Sequence, residues 1–468
     1  MSNSKMTARE RIEALLEANS FVELGGLVSA RNTDYNLGAK KVDGDGVITG
    51  YGTLGDRMVY VYSQDVSMLG GSIGEMHAKK IASVYDMAMK TGAPVIAMMD
   101  CAGLRLQEAN DALAAFGQIF FKQAQASGRI PQITAVFGMC GGGSSVMSAM
   151  SDFTFMTSDG ALFVNSPNAL EGNIETKLNT ASAAYQAETA GNVDFVCETE
   201  EEMIQQMRAL LNFLPSDHEA DDAYVECTDD LNRVIADLND AAYDAKFIAA
   251  SISDGNVFVE TKAAFAKEMM TGFIRLSGET VGVVANAETV MTADGLEKAT
   301  RFVKFCDAFN IPVLTVTNVE GMKASVEEEK NLAKAMAKFT AELAGSTVAK
   351  VNLIAGKAFG TAGVVMNSKA VGADFVVAWP EASIGMMDAA QAVRIIYADE
   401  IAAGDQMTVI NEKTAEYKEL QSSAIAAAKR GYVDDIIEPD ATRKRLIAAF
   451  EMLFGKKEEF VDRKHATI

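Results

Sequence analysis

One short stretch of the chain, Gly138–Phe153, has the residue types of a ligand-binding loop. It reads GMCGGGSSVMSAMSDF, with a strand-like QITAVFG run leading into it and a helix-like run of small residues in its second part. A glycine-rich turn before a helix presents N–H groups to an anion. A P-loop would end in GK[ST] and a dinucleotide loop needs a further glycine, and this loop has neither. Two alternatives remain: an oxyanion hole of two backbone N–H groups, or a glycine run that only permits close strand–helix packing.

A second loop, AFGTAG at 358–363, has the same character. Two oxyanion holes in one chain would suit the transfer of a group between two enolate-like partners. Side-chain catalysis has little to build on, because the chain has only three histidines: His77, His218 and His465. We interpret His218 and His465 as solvated surface residues. A serine–histidine–aspartate hydrolase and a histidine-ligated zinc enzyme are therefore disfavoured.

The composition restricts partners and compartment. The 468 residues carry a formal net charge of -22, which repels nucleic acid and anionic lipid. The five cysteines are scattered without a CxxC pair, so a disulfide framework and a metal site are not predicted and a reducing compartment is favoured. The N-terminus is typical of a charged helix rather than a signal peptide, and no apolar run reaches the ~18 residues of a membrane span. We expect a cytoplasmic protein that does not itself span a membrane.

The elements around the two loops occur twice. PVIAMMDCAG (94–103) matches PVLTVTNVEG (312–321), and each run follows an amphipathic helix. Each also leads to a second strand, one of the two loops, a small-residue helix, and then DFTFMTSDGALF or DFVVAWPEASIG. Four matches in register favour duplication over the alternative of two unrelated segments, and the order of elements predicts an α/β fold. The helix of the second copy should bury the apolar residues that recur at helical spacing, namely Leu296, Ala299, Phe302, Val303, Cys306 and Phe309.

Further motifs follow one another in the order of a known family. They are RIEALLEANSFVEL, SQDVSMLGGSIGEMHAKKI, SGRIPQI, the GMCGGG loop, GFIRLSGETVGVVAN, RFVKFCDAFNIPVLTV, GADFVVAWPEASIGMM and the terminal RKHATI. On these residues nearly the whole chain resembles the biotin-dependent acyl-CoA carboxyltransferases. These include the β subunits of propionyl-CoA and acetyl-CoA carboxylases and the carboxyltransferase subunits of methylmalonyl-CoA and glutaconyl-CoA decarboxylases.

The resemblance implies a fold and its division. It implies an α/β fold of two tandem crotonase-like (ClpP/crotonase) domains, each made of repeated ββα units. The N-terminal carboxyltransferase domain, on the acyl-CoA side, is predicted at 1–250. The C-terminal carboxyltransferase domain, on the biotin side, is predicted at 251–468.

The resemblance also implies the residues of the acyl-CoA side. In the family the first loop holds the thioester oxygen while the α-carbon becomes an enolate, and by position the N–H groups of Gly142 and Gly143 take that role. Ala102 and Gly103 keep the small backbone of the family's substrate-binding segment. Arg105 is a candidate for a CoA phosphate or, equally, for a local ion pair.

The second loop corresponds to the biotin side. By the same match, the biotin ureido oxygen would lie at the N–H groups of Thr361 and Ala362, with Gly360 in the same binding set. Threonine stands where the family has the second glycine of a pair, and its β-branched side chain narrows the approach. Asn318, in NVEGM, stands where the family has the aspartate of DVPGF. These departures leave a non-catalytic scaffold subunit as an alternative.

The function implied is a carboxyltransferase subunit that moves a carboxyl group between carboxybiotin and the α-carbon of a short acyl-CoA of the propionyl-CoA/methylmalonyl-CoA class. No biotinyl-lysine motif occurs, so biotin is expected on a separate carrier protein. The resemblance further implies a biotin carboxylase subunit or membrane decarboxylase subunits as partners, and a homo-hexamer built as a trimer of dimers. Carboxylation and sodium-pumping decarboxylation both stay open. A CoA-only hydratase or thioesterase using Glu108 and Glu171 is a further alternative.

Overall fold

A computed structural model of the protein describes residues 5–31, 44–239 and 243–458. The chain divides into two compact units, Met1–Ala223 and Tyr224–Ile468. The boundary predicted between residues 250 and 251 concerns functional domains and stays a prediction. The terminal RKHATI motif, which includes His465, lies outside the described residues.

The first unit is built on one mixed sheet of eight strands. These are β1 (Val22–Leu24), β2 (Val47–Leu54), β3 (Arg57–Gln64), β4 (Val95–Cys101), β5 (Gln132–Gly141), β6 (Phe153–Thr157), β7 (Ala161–Phe163) and β8 (Phe195–Cys197). They lie in the order β1-β2-β3-β4-β5-β6-β8, and β7 also pairs with β5. Its helices are α1 (Ala8–Leu15), α2 (Glu75–Thr91), α3 (Ala109–Ala126), α4 (Gly143–Ala149), α5 (Asn173–Thr176), α6 (Ala183–Glu188) and α7 (Glu200–Phe213).

The second unit has a mixed sheet of the same kind. Its strands are β9 (Val259–Thr261), β10 (Met269–Leu276), β11 (Glu279–Asn286), β13 (Val313–Val319), β15 (Lys350–Phe359), β16 (Phe375–Ala378), β17 (Ser383–Gly385) and β18 (Asp435–Ile436), while β12 (Val290–Met291) and β14 (Gly321–Met322) pair separately. Its helices are α8 (Ala245–Ile252), α9 (Ala293–Ala308), α10 (Val326–Glu329), α11 (Leu332–Gly345), α12 (Gly360–Val365), α13 (Ala389–Ile396), α14 (Ala398–Ala403), α15 (Gln406–Tyr417), α16 (Ala424–Lys429) and α17 (Thr442–Leu453).

The two sheets share one topology, which confirms the duplication predicted from sequence. In each, three antiparallel strands are followed by parallel ones: β1-β2-β3 leads to β4-β5-β6, and β9-β10-β11 leads to β13-β15-β16. The equivalent central strands β4 and β13 are buried at every position, as expected where helices cover both faces of a parallel sheet. The apolar residues predicted to face the core from the second-copy helix, α9 and its C-cap, are all buried: Leu296, Ala299, Phe302, Val303, Cys306 and Phe309.

A buried cation ties helix α1 to the sheet of the first unit. The Arg11 side chain is only 3% exposed and lies 3.4 Å from an Asp100 carboxylate oxygen and 3.1 Å from one of Glu200. Its guanidinium also stacks over the Phe137 ring, 4.4 Å from the centroid. Asp100 is the penultimate residue of β4, two positions before Ala102 in the candidate substrate-binding segment. The ion cluster therefore fixes the backbone from which that segment starts.

Ala109 holds a strained turn at the start of α3. Its φ of 46° and ψ of -121° lie in a region that glycine reaches easily and other residues rarely do. We expect Ala109→Gly to raise the free energy of unfolding by about 1 kcal/mol, because removing the Cβ relieves strain that exceeds the extra entropy of glycine in the unfolded chain. Urea unfolding at fixed protein concentration measures this. Ala114→Gly, at an exposed position of the same helix, is the matched control and should instead lower stability by about 1 kcal/mol. Destabilisation by both would contradict the strain argument.

Candidate active site

The candidate segments of the first unit meet at the carboxyl ends of neighbouring parallel strands. Cys101, at the end of β4, pairs with Cys140 of β5. A Cβ built on Gly103 would lie 3.7 Å from the carbonyl oxygen of Gly141. The segment after β4 therefore lies beside the glycine turn after β5, where open α/β sheets place their ligands.

The glycine turn itself differs from the sequence prediction in one donor. Gly142 has a φ of 61°, and its N–H donates to the Phe163 carbonyl at 2.9 Å, so this N–H is not available to a ligand. The Gly142 carbonyl in turn accepts from the N–H and the hydroxyl of Ser145. Gly143 and Ser144 follow as the first residues of α4, where N–H groups have no partner within the helix. The adjacent N–H groups without a partner within the helix are thus those of Gly143 and Ser144, one residue further along the chain than the predicted pair.

The side chains around this turn make contacts within the folded unit. The Ser144 hydroxyl contacts the Cys101 sulfur at 3.4 Å, and the Ser145 hydroxyl donates to Gly142. Burial raises the pKa of the thiols of Cys101 and Cys140, which keeps both protonated near neutral pH. None of these four side chains is poised as a nucleophile, so the chemistry available at the turn is that of backbone N–H groups.

The predicted substrate-binding segment consists of two residues with small side chains or none, and one of them is exposed to solvent. Ala102 is exposed, but its N–H donates to the Gly70 carbonyl at 3.0 Å. Gly103 is buried, with a φ of 100°, and its N–H contacts the Cys101 sulfur at 3.2 Å. These residues can shape a surface against a ligand, but their N–H groups are already engaged.

Arg105 forms a local ion pair, which is one of the two roles predicted for it from the sequence. It is 1% exposed, and its Nη1 contacts Asp45 and lies 2.9 Å from a Glu108 oxygen, while its Nη2 donates to the Ser72 carbonyl at 2.6 Å. A guanidinium this enclosed cannot reach a CoA phosphate, which corrects its assignment as a substrate ligand. Glu108 is held in the same ion-pair cluster. It is therefore not available as an acid–base carboxylate for the hydratase alternative. Glu171, the other carboxylate of that alternative, is exposed.

His77 is also part of the framework. It is fully buried, its Nδ1 lies 2.8 Å from the Asp45 carbonyl, and its Nε2 lies 3.3 Å from the Gln64 amide nitrogen. Burial, with Arg105 nearby, lowers the pKa of His77 to about 3, so the ring is neutral at physiological pH. Both ring nitrogens are occupied, and His77 therefore orients the backbone rather than exchanging protons. His218, as predicted, lies on the surface.

The second unit repeats the turn. Gly360 has a φ of 56°, matching Gly142, and Thr361 and Ala362 follow it in the first turn of α12. Thr361 is exposed and Ala362 is buried. A glycine with a positive φ, a backbone angle that glycine takes at little cost, therefore precedes the first N–H groups of the following helix turn in both units.

The replacement of aspartate by Asn318 also has a structural explanation. In the first unit an Asp100 oxygen accepts from the Met139 N–H at 3.3 Å, and in the second an Asn318 oxygen accepts from the Lys357 N–H at 3.0 Å. Asp100 additionally faces the Arg11 cation, whereas the Asn318 amide is uncharged and requires no counter-ion. An amide supplies the one acceptor that the second turn needs, so the departure does not indicate a decayed loop.

A cavity of about 780 Å³ opens beside this second turn. Gly360 and Thr361 line one part, and apolar residues of β15, β16 and β17 line another. Further lining residues come from α16 and from a π-helical turn, Lys418–Ser422. Such a volume is typical of a small-molecule site.

Comparison with known proteins identifies the family. Residues 1–468 match the carboxyl transferase domain family. The chain belongs to that family. It is 39% identical over 480 residues to the propionyl-CoA carboxylase beta chain of Roseobacter denitrificans, covering 99% of this chain and 94% of that one. It is 38% identical over 484 residues to the methylmalonyl-CoA decarboxylase subunit alpha of Propionigenium modestum, covering 100% of this chain and 94% of that one.

Among solved structures, transcarboxylase 12S with hydrolysed methylmalonyl-coenzyme A bound is similar with a TM-score of 0.95. The sequences are 33% identical, and the match covers 99% of this chain and 92% of that chain. These findings confirm the predicted family, the tandem crotonase-like fold and the assignment of the chain as a carboxyltransferase enzyme.

The described residues also bear on membrane insertion and metal binding. In the described part of the chain, none of the helices combines the length and apolar composition needed to cross a bilayer. Within the same residues, no group of three or more histidine, cysteine, aspartate or glutamate side chains is arranged to hold a metal ion.

Proposed function

We propose that this carboxyltransferase moves a carboxyl group between biotin, carried on a separate protein, and the α-carbon of a short acyl-CoA of the propionyl-CoA/methylmalonyl-CoA class. One observation carries the proposal: the same N–H donor turn occurs at the same place in both units, with no nucleophile at the first turn. The relatives include propionyl-CoA carboxylase and methylmalonyl-CoA decarboxylase, and these names support the proposed class of acyl group.

In the first unit, the N–H groups of Gly143 and Ser144 would hold the thioester oxygen. Negative charge develops on this oxygen when the α-carbon loses its carboxyl group or proton, and fixed N–H donors stabilise that charge without reorganising. Ala102 and Gly103 would form the wall against which the thioester lies. Because the donors are backbone groups, they would supply this stabilisation without changing their own protonation state.

In the second unit, the N–H groups of Thr361 and Ala362 would hold the ureido oxygen of biotin, with Gly360 setting the turn. The residues fit this group: Gly360 has a positive φ, as Gly142 does in the first unit, and the turn opens on a cavity large enough for a bicyclic ring. When bound, biotin supplies the nitrogen that carries or releases the carboxyl group. The exposed Thr361 side chain would set how closely the ring approaches.

The partners proposed follow from the same function. A biotin carboxyl carrier protein would deliver biotin, together with a biotin carboxylase subunit or membrane decarboxylase subunits. The transcarboxylase 12S structure is described as a hexamer assembly, which supports a homo-hexamer, built as a trimer of dimers, for this chain. We also propose a cytoplasmic location, supported by five free cysteines. Because the exchange is near-balanced, the same residues would serve carboxylation and decarboxylation.

Transfer of labelled carboxyl from methylmalonyl-CoA to a biotinylated carrier tests the proposal. We expect label to appear on biotin, and we expect avidin added beforehand to stop the transfer. A CoA-only hydratase or thioesterase would act on its own substrate regardless of avidin. Absence of transfer to both the carrier and free biotin, in a preparation that still binds methylmalonyl-CoA, would contradict the proposal and favour a scaffold role.

A further inference from the structure

One buried sulfur joins the two segments that form the candidate acyl-CoA site. Cys101 ends β4, and its side chain is fully buried. Its Sγ accepts from the Gly103 N–H at 3.2 Å and from the Ser144 hydroxyl at 3.4 Å. Gly103 belongs to the proposed thioester wall, and the N–H of Ser144 is one of the two proposed donors. The sulfur therefore connects the wall directly to the donor turn.

The thiol can hold both segments at once because it stays neutral. Burial raises the pKa of the Cys101 thiol, so the S–H is retained near neutral pH and contacts the Gly103 carbonyl at 3.5 Å. The sulfur thus accepts from both segments while its proton points to one of them. The Ser144 side chain is also fully buried, and a buried hydroxyl is costly unless it is hydrogen-bonded. The contact with Cys101 satisfies that hydroxyl.

The second unit has an apolar residue at the place of Cys101. Cys101 pairs with Cys140 across β4 and β5, after a shift in register between the two strands. Val319 pairs with Ala358 across β13 and β15 after the same kind of shift. Val319 is therefore the equivalent of Cys101, and it is fully buried as well. Valine thus fits the frame at this position.

The second unit also has an apolar residue at the place of Ser144. Ser144 is the second residue after Gly142, and Ala362 is the second residue after Gly360. Ala362 is buried, and neither its side chain nor that of Val319 can form a hydrogen bond. The duplicated fold is therefore built at this place without a polar contact. The sulfur–hydroxyl pair is a property of the first turn, and the fold itself does not require it.

We propose that Cys101 is a positioning residue for carboxyl transfer, and that its sulfur fixes the Ser144 donor relative to the wall at Gly103. This role rests on the proposed function, because the donor and the wall are those of the proposed acyl-CoA site. Oxyanion donors stabilise charge by being held in place before the charge develops. A displacement of about 1 Å can lower a rate by about 100-fold. The sulfur would act only through Ser144 and Gly103 and would make no bond to the substrate.

Cys101→Val tests the role, because it copies the apolar residue of the second unit. We expect kcat for transfer of labelled carboxyl from methylmalonyl-CoA to free biotin to fall about 10-fold, and KM for methylmalonyl-CoA to stay near that of the unmodified chain. Cys101→Ser keeps an acceptor and should retain more of kcat than Cys101→Val. Equal kcat in the valine and serine variants, or a change confined to KM, would overturn the proposal.

Ser144→Ala tests the same contact from its other side. It removes the hydroxyl but keeps the backbone N–H, so the proposed donor remains. We expect it to lower kcat as Cys101→Val does, and the double variant to lose little more, because both changes break one contact. Losses that multiply in the double variant would overturn the coupling through the sulfur. Since Ser144→Ala adds no bulk, its kcat decides the question if Cys101→Val does not assemble.

Cys306→Val is the matched control for the loss of a buried thiol. Cys306 is as buried as Cys101, but it lies on α9 of the second unit. We expect this variant to keep the kcat of the unmodified chain. A loss equal to that of Cys101→Val would attribute the effect to the general removal of buried sulfur and would overturn the role of Cys101.

The unmodified chain, measured in the same assay, separates this inference from the proposed function. Absence of transfer by the unmodified chain would refute the proposed function and the role of Cys101 with it. Transfer by the unmodified chain at the rate of Cys101→Val and Ser144→Ala would refute the role of Cys101 alone and leave the carboxyltransferase function standing.

Discussion

Gly143→Pro should lower the rate of carboxyl transfer by two to three orders of magnitude, roughly the effect of removing one donor of an oxyanion hole. Gly143 is the first residue of α4, where proline is tolerated because this N–H has no helical partner. The substitution therefore removes the proposed donor with little cost to the helix. Transfer of labelled carboxyl from methylmalonyl-CoA to free biotin measures the effect.

The control must separate the lost donor from added bulk. A Cβ on Gly143 would lie 3.0 Å from the Phe116 ring, so any side chain here forces that ring to shift. Gly143→Ala adds the same Cβ but keeps the N–H, and we expect it to retain much more transfer than Gly143→Pro. Equal losses in the two variants would show that packing against Phe116, and not the donor, limits the reaction.

Arg11→Leu should lower the free energy of unfolding by about 3–5 kcal/mol. The substitution leaves the carboxylates of Asp100 and Glu200, whose side chains are each only 10% exposed, without their shared cation. Buried charges left unpaired cost far more than an exposed ion pair contributes. The midpoint of urea unfolding, compared at one protein concentration so that assembly is held constant, measures the loss.

Arg9→Leu is the matched control for this prediction. Arg9 lies on the same helix and pairs with Glu23, but its side chain is 46% exposed. An exposed pair of this kind contributes about 0–1 kcal/mol. Similar destabilisation by the two variants would contradict the buried-cluster account of Arg11.

Much of the architecture could be predicted from sequence because duplication leaves two copies of each signal. The matched runs ending at Gly103 and Gly321 lie on equivalent strands, and both glycine turns follow the next strand in each sheet. The α9 residues were predictable because helical periodicity directly reflects which face is buried. The local pattern of apolar residues and the register of the internal repeat are thus what make the fold predictable from the sequence.

The partners of individual groups could not be predicted in the same way. The carbonyl of Phe163, on a strand that pairs with β5, accepts the Gly142 N–H, and no sequence pattern indicates this bond or favours Ser144 as the proposed donor. The sequence does not decide between the two predicted roles of Arg105, because its ion-pair partner Asp45 is distant in sequence. The cavity beside Gly360 and Thr361 depends on the space that the side chains of several elements leave unfilled, and no single motif indicates it.

Thr361→Pro tests most directly the claim that both turns serve one reaction. We predict that labelled carboxyl transfer from methylmalonyl-CoA to biotin falls by about two orders of magnitude, because a second-unit donor is removed. Affinity for methylmalonyl-CoA, measured on the same preparation, should stay near that of the unmodified chain, since the proposed acyl-CoA donors lie in the first unit. Transfer at the unmodified rate would contradict the account, because the second turn would then take no part in the reaction.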